Sequence, residues 1–247
     1  MDASALARLI RERQPCVVLT GAGVSTESGI PDFRSPTGLW AQFDPAEYAS
    51  LPAFRADPAK VWRFYKPRIA MLTEAEPNEA HLALARLEVA GLVEAVVTQN
   101  IDLLHERAGS RNLVEVHGSI RTATCPACGA SYAREVVLAK LEQADAPACD
   151  ACGAIVKPDV VFFGELLDPA TIDRAGELAR GARLLLVVGS ALEVYPVAGL
   201  PGLTRGGGGK LVLITQGTTP YDSDAEVKLS GDVVEELRAV LEALDAA

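Results

Sequence analysis

The sequence predicts an α/β fold: a doubly wound parallel sheet covered by helices on both faces, with a smaller inserted domain. Three observations predict it. The segments CVVLT (16–20), EAVVTQN (94–100), LVEVHG (113–118), RLLLVVGS (183–190) and KLVLIT (210–215) are near-continuous apolar runs, as expected of strands buried on both faces. Segments with helical spacing alternate with them. Two stretches, 35–73 and 121–157, break that alternation with Pro, aromatic residues and paired cysteines.

In chain order, Leu6, Leu9 and Ile10 recur at helical intervals from Asp2 to Arg13, and Pro15 ends that helix before the first strand. An amphipathic segment from Asn78 to Val89 runs through Gly91 into the second strand, and LVEVHG supplies the third. Helical segments from Pro169 to Arg180 and from Asp232 to Leu244, with a glycine turn at Gly206–Gly209, complete the pattern. The chain accordingly divides into a larger domain of residues 1–34, 74–120 and 158–247 and a smaller one of residues 35–73 and 121–157. No internal repeat is present.

With 247 residues the chain is long enough for a large domain with an insert and a core that needs no staple. Its 49% apolar content excludes a disordered or collagen-like class, and a formal net charge of −10 argues against nonspecific nucleic-acid binding. No apolar run approaches the roughly 20 residues of a membrane span, and MDASALARLIRERQP lacks the apolar core of a secretory signal, so a cytoplasmic location is expected.

The loop after the first strand, LTGAGVSTESGIPDFRS, places Gly21 and Gly23 where backbone N–H groups can approach a pyrophosphate at a helix N-terminus. GAG alone equally fits a tight turn, because the full GxGxxG spacing is missing. Asp32, Phe33 and Arg34, an aromatic plate between opposite charges, favour a ligand there. Parallel sheets gather functional residues at the carboxyl ends of their strands, so Gln99, Asn100 and Asp102 of TQNID should share a crevice with that loop and with His117. An imidazole with an unperturbed pKa near 6.5 suits a general base. Of the three histidines, His81 and His105 fall inside helical patterns and read as packed or solvated, which leaves His117 as the base. Cys16, alone in an apolar run, reads as core. Cys125, Cys128, Cys149 and Cys152 form two CxxC pairs at zinc-ribbon spacing; four thiolates close a tetrahedral shell, so the metal should be structural. A redox dithiol pair is the rival reading and fits the spacing less well.

Taken together, GAGVSTESGIPDFRS, TQNID, HG, the CxxC pairs, KPDVVFFGE (157–165), GSALEVYP (189–196) and TTPYD (218–222) resemble the sirtuins, and bacterial members closely, in order and spacing over nearly the whole chain. The resemblance implies a Rossmann-like, NAD-binding sheet and a structural zinc in the insert. It implies that NAD is a co-substrate for removal of acyl groups from protein lysines held in extended conformation, a form of strand addition. Ala22, Thr26, Phe33 and Arg34 match the loop over the nicotinamide end, Gln99 the ribose contact, and Asn100, Ile101 and Asp102 the carboxamide pocket. His117 matches the base, Gly189 and Ser190 the phosphate and adenosine contacts, and Asp232 and Val233 the adenine end. Val161, Phe162, Phe163 and Gly164 match the strand and tunnel around the acyl-lysine.

The implied chemistry displaces nicotinamide by the acyl oxygen, with Phe33 excluding water and His117 activating a ribose hydroxyl; the products are lysine, O-acyl-ADP-ribose and nicotinamide. Thr215 stands at the adenosine-ribose contact where the family usually has asparagine, and Ala191 where it usually has a second hydroxyl. Tyr65 and Arg68 match the spacing that members acting on malonyl- or succinyl-lysine use for the distal carboxylate; the alternative is a solvated helix face. Deacetylation is the first expectation, with acidic deacylation second. A dehydrogenase, a mono-ADP-ribosyltransferase and a noncatalytic zinc-ribbon adaptor are the rivals from other classes.

Overall fold

The computed structural model describes residues 3–246. The expected helix start at Asp2 and the outermost domain limits, 1 and 247, lie outside the described residues. Apolar runs become β1 (Cys16–Thr20), β2 (Ala95–Thr98), β3 (Leu113–Glu115), β7 (Leu184–Val188) and β8 (Lys210–Ile214); β9 (Val227–Leu229) adds an edge. These form one parallel sheet of order β3-β2-β1-β7-β8-β9, the doubly wound order with its switch point between β1 and β7. β9 carried no sequence expectation, because three residues are too few to show a pattern.

Successive residues of a strand face opposite sides. Val18, Val96, Leu186 and Val212 therefore enter one core with Leu6 and Ile10 of α1 (Ala3–Glu12), Leu84 and Leu87 of α6 (Glu79–Val89), and Leu237 and Val240 of α11 (Val233–Asp245). Val17, Leu19, Val97, Leu185, Val187 and Leu213 enter the other, with Leu178 of α9 (Pro169–Gly181) and Leu200 of α10 (Leu200–Gly206). Each strand is apolar throughout because both faces are covered. Cys16 lies in the first core, and burial pushes its thiol up to about 12.

The two irregular stretches carry α2 (Leu39–Gln42), α3 (Pro45–Tyr48), α4 (Leu51–Ala56) and α5 (Pro58–Glu74) in the first, and β5 (Ser131–Ala133) and α8 (Arg134–Leu141) in the second. α7 (Leu104–Ala108) lies between β2 and β3. β4 (Gly118–Thr124) pairs antiparallel with β5 and with β6 (Lys157–Val160) in a second, three-stranded sheet. A third core joins this sheet to α5: Trp62, Phe64, Tyr65 and Phe162 pack with Ile120, Val137 and Val156, and the Trp62 indole N–H donates to the Val156 carbonyl at 2.9 Å.

The chain passes from the large sheet to the small one at His117–Gly118. The expected strand LVEVHG is shorter than its apolar run: β3 ends at Glu115, and His117 occupies the connection to β4. Gly118 has φ +71°, and a Cβ there would lie 2.1 Å from the Asp159 carbonyl oxygen, so only glycine fits this crossing.

Candidate active site

The switch point is assembled by glycine. The loop after β1 turns through a 3-10 segment, Ala22–Val24, and packs backbone to backbone on the loop after β7: Gly21 N–H donates to the Val188 carbonyl (3.1 Å) and Gly23 N–H to the Gly189 carbonyl (2.9 Å). A Cβ on Gly23 would approach Gly189 to 2.9 Å, and one on Gly189, whose φ is +62°, would meet the Val24 nitrogen at 2.4 Å. The close contact between the two loops accounts for both glycines of GAG as a tight-packing requirement. Thr26 follows, its hydroxyl donating to the Gly23 carbonyl at 3.1 Å.

From the carboxyl end of β2, Gln99 reaches across this contact, its side-chain amide donating to Ser190 Oγ (2.9 Å) and to the Thr20 carbonyl (3.2 Å). Asn100 and Asp102 are buried beside it. Asn100 Nδ2 donates to Ser25 Oγ at 3.0 Å, and Ser25 Oγ donates to Asp102 Oδ2 at 2.8 Å. The Ile101 carbonyl accepts from the Ile120 N–H at 3.2 Å, tying the segment to the small sheet.

His117 is half-buried, and its Nδ1 lies 3.1 Å from the Gln99 carbonyl oxygen. A carbonyl only accepts, so Nδ1 carries the proton and Nε2 keeps the lone pair a base needs. Burial holds the imidazole below its usual pKa; the Gln99 hydrogen bond opposes this and the Arg34 charge adds to it. His117 is accordingly neutral at pH 7. Arg34 Nε also pairs with Glu193 across the cleft at 2.7 Å, closing the loop after β1 onto the segment after β7. Asp32 folds that loop, accepting from the backbone N–H groups of Arg34 (2.9 Å) and Ser35 (2.8 Å).

Phe33 stacks on Trp40 with ring centroids 5.3 Å apart, and Trp40 meets Phe163 edge-on at 6.2 Å. Val161 N–H donates to the His117 carbonyl (2.9 Å), so the segment 161–164 begins beside His117. Phe163 is bridged to the segment before α4, its N–H donating to the Ala49 carbonyl at 2.9 Å, and Gly164 turns the chain at φ +84°. Phe162 points the other way, its ring 5.4 Å from that of Tyr65. Tyr65 is buried, which raises its phenol pKa, and Arg68 stacks on Phe64 with the guanidinium carbon 3.6 Å from the ring centroid. The pair therefore does not lie on a solvated face. Arg68 Nη1 donates to the Phe64 carbonyl at 2.6 Å, whereas its buried Nε has no partner among the described residues.

Thr215 lies buried just beyond β8, its N–H donating to the Leu229 carbonyl at 3.0 Å. Asp232 caps α11, accepting from Val234 N–H at 2.9 Å, and Val233 packs with Val24 in the first core. The Asp232 carboxylate is thus committed to the helix N-terminus. Ser25, His81 and Glu193 were missed as functional candidates. Ser25 and Glu193 sit inside the motifs but have no spacing of their own, and His81 is three residues after its cap Asn78, a capping-box position where Glu or Gln is the usual signal.

At the far end of the small sheet the Sγ atoms of Cys125, Cys128, Cys149 and Cys152 all lie within 4.8 Å of one another, with the Cys125–Cys152 and Cys128–Cys149 pairs at 3.5 Å. Zn–S bonds of about 2.3 Å in a tetrahedron put sulfurs about 3.8 Å apart, so the set fits one zinc ion with no ligand position left for water. Tyr132 donates its hydroxyl to Cys149 Sγ at 3.2 Å, an outer-shell contact of the kind that orients a metal ligand.

A sequence model described as the Sir2 family matches residues 21–196. The chain is 45% identical over 234 residues to an NAD-dependent protein deacetylase of Thermotoga maritima, covering 95% of each. It is 43% identical over 235 residues to NAD-dependent protein deacylase 1 of Archaeoglobus fulgidus, covering 94% of this chain and 95% of that one. A solved structure of Sir2 with a p53 peptide and NAD+ superposes with a TM-score of 0.93 at 43% identity, covering all of both chains.

Proposed function

The chain belongs to the Sir2 family, and from that membership we propose that it is an NAD-dependent protein-lysine deacylase, acetyl being the first-choice acyl group, with nicotinamide and O-acyl-ADP-ribose as the other products. The observation that carries this reading is the neutral, Nδ1-protonated His117 anchored on Gln99 beside the Asn100–Ser25–Asp102 cluster at the switch point of the sheet. NAD, as co-substrate, supplies the glycosidic bond whose cleavage drives the transfer.

Each group of residues has a distinct task. Gly21, Gly23, Gly189 and Ser190 receive the phosphates, Thr215, Asp232 and Val233 bound the adenosine end, and Gln99 orients a ribose. Asn100, Ile101 and Asp102 hold the carboxamide, while Ala22, Thr26, Asp32, Phe33 and Arg34 form the cover over the nicotinamide end, with Phe33 excluding water from a cationic centre. His117 Nε2 accepts a proton from a ribose hydroxyl. Val161, Phe162, Phe163 and Gly164 take the substrate as an added strand, and the four cysteines hold one structural zinc. The division into residues 1–34, 74–120 and 158–247 against 35–73 and 121–157 separates the NAD unit from the zinc unit.

The partners are acylated lysines in extended protein segments, with no specific nucleic acid and no membrane, and the compartment is the cytoplasm. The net charge of −10 supports this, and no helix among the described residues is long and apolar enough to cross a membrane. The test is product analysis with NAD and an acetyl-lysine peptide: nicotinamide, free lysine peptide and O-acetyl-ADP-ribose should appear in equal amounts by mass spectrometry. An ADP-ribosylated peptide, or a reduced nicotinamide, would overturn the proposal. A second reading, preference for malonyl- or succinyl-lysine through Tyr65 and Arg68, is favoured by the buried Arg68 Nε that has no partner among the described residues, a donor left over for a carboxylate.

A further inference from the structure

We propose that His81 and His105, two buried imidazoles behind the cleft, are positioning residues that hold Asn100 and Asp102 through two hydroxyl chains and so set the affinity of the pocket for nicotinamide. This rests on the deacylase reading above, in which Asn100 and Asp102 hold the carboxamide.

The first chain starts on α6. His81 Nε2 lies 3.3 Å from Ser25 Oγ, and its Nδ1 lies against Asn78, 3.3 Å from the backbone N and 3.0 Å from Oδ1. Ser25 has one proton, and it is committed to the Asp102 carboxylate at 2.8 Å, while Asn100 Nδ2 donates to one lone pair of the same oxygen at 3.0 Å. Only a second acceptor position remains on Ser25 Oγ, so His81 Nε2 must bring a proton to it. The order is His81 to Ser25 to Asp102, with Asn100 joining at the hydroxyl. Removing the imidazole donor frees the Ser25 hydroxyl to rotate and leaves Asp102 Oδ2 without a fixed donor, so that only Oδ1 stays anchored, by the Leu104 N–H at 3.0 Å.

The second chain starts on α7. His105 Nε2 lies 3.0 Å from Thr20 Oγ1, whose proton goes to Thr98 Oγ1 at 2.8 Å, and Thr98 Oγ1 also accepts from the Asn100 backbone N–H at 3.1 Å. The same bookkeeping of protons makes His105 the donor to Thr20. Its Nδ1 is buried with no hydrogen-bond partner among the described residues, an arrangement a purely structural site would have little reason to keep. The side chain of Asn100 is therefore held from one imidazole and its backbone from the other, and the two rings touch with centroids 4.9 Å apart. Burial lowers His81 to about 4 and His105 to about 3, so both rings are neutral at pH 7 and the single proton of each is the one on Nε2.

The test uses the full-length protein and incorporation of labelled nicotinamide into NAD in the presence of acetyl-lysine peptide. His81→Phe should raise the KM for nicotinamide in base exchange, and its inhibition constant, about tenfold or more, while the KM for peptide stays within about twofold. His81→Gln, whose amide N–H can stand in for Nε2–H, should restore nicotinamide affinity to within about threefold of the parent. Ser25→Ala, a small change that removes the shared hydroxyl, should reproduce the His81→Phe effect even where His81→Phe does not fold. An unchanged nicotinamide KM in Ser25→Ala, or equal loss for nicotinamide and peptide with no rescue by Gln, would overturn the proposal. Absence of NAD turnover in the parent protein would instead refute the deacylase reading.

Discussion

One hydrogen bond fixes the His117 tautomer: Nδ1–H donates to the Gln99 carbonyl, which leaves the Nε2 lone pair free. His117→Ala should lower turnover by about two to four orders of magnitude, the usual range for general-base removal, while zinc content and circular dichroism stay at parent values. Turnover within a few-fold of the parent would exclude the assignment. Because burial and the Arg34 charge depress this imidazole, the acid limb of kcat/KM should lie below the ordinary histidine value of about 6.5. Arg34→Gln, lacking the positive charge, should move that limb to higher pH, read from a pH–rate profile under saturating NAD. Arg68→Met keeps a long apolar stem over Phe64 and deletes the charge; it should reduce desuccinylation at least tenfold more than deacetylation, and equal loss on both peptides would leave Arg68 without an acyl-sorting role.

At the scale of elements, the contact between the loops after β1 and β7 decides whether a cleft exists. Gly189→Ala places a side chain at φ +62° and 2.4 Å from the Val24 nitrogen. The left-handed conformation alone costs about 1–2 kcal/mol, and relief of the clash must separate the two loops. NAD affinity should fall more steeply than thermal stability, which calorimetric titration beside a melting curve would show. Much of this level is legible in the sequence. The five apolar runs become five strands, and the helices over 79–89, 169–181 and 233–245 match the expected 78–89, 169–180 and 232–244 within one residue at each end, their starts fixed by Asn78, Asp168 and Asp232, which accept from first-turn N–H groups. β9 and the short strands β5 and β6 carry too few residues for a period, and LVEVHG outlasts β3 because Val116 continues the apolar pattern into the connection that crosses to the second sheet at Gly118.

At the scale of the whole molecule, the two buried imidazoles link folding to pH. Their folded pKa values, about 4 for His81 and about 3 for His105, lie below the unfolded value of about 6.5. The unfolded chain therefore binds more protons below pH 6.5, so the stabilisation is complete above that pH and declines as pH falls through the folded values. The slope is about 1.4 kcal/mol per pH unit for each group. Denaturant melts at pH 7, 6 and 5 should show this loss, and His81→Gln with His105→Gln should flatten it; parallel curves for parent and variant would contradict the assignment. Removing zinc with a chelator should loosen the third core, seen in the emission of Trp62, while the parallel sheet keeps its circular dichroism.

By itself the sequence determined the alternation of strand and helix, the four-thiolate set and the motifs that place Asn100, Asp102 and His117 at strand ends, because periodicity, ligand spacing and strand-end position are local properties. Only the tertiary structure decided that Ser25 joins Asn100 to Asp102, that Glu193 closes on Arg34 and that His81 and His105 stand behind the cleft. Those are contacts between residues from 56 to 159 positions apart or protonation states set by burial, and neither exists until the two faces of the sheet have been covered.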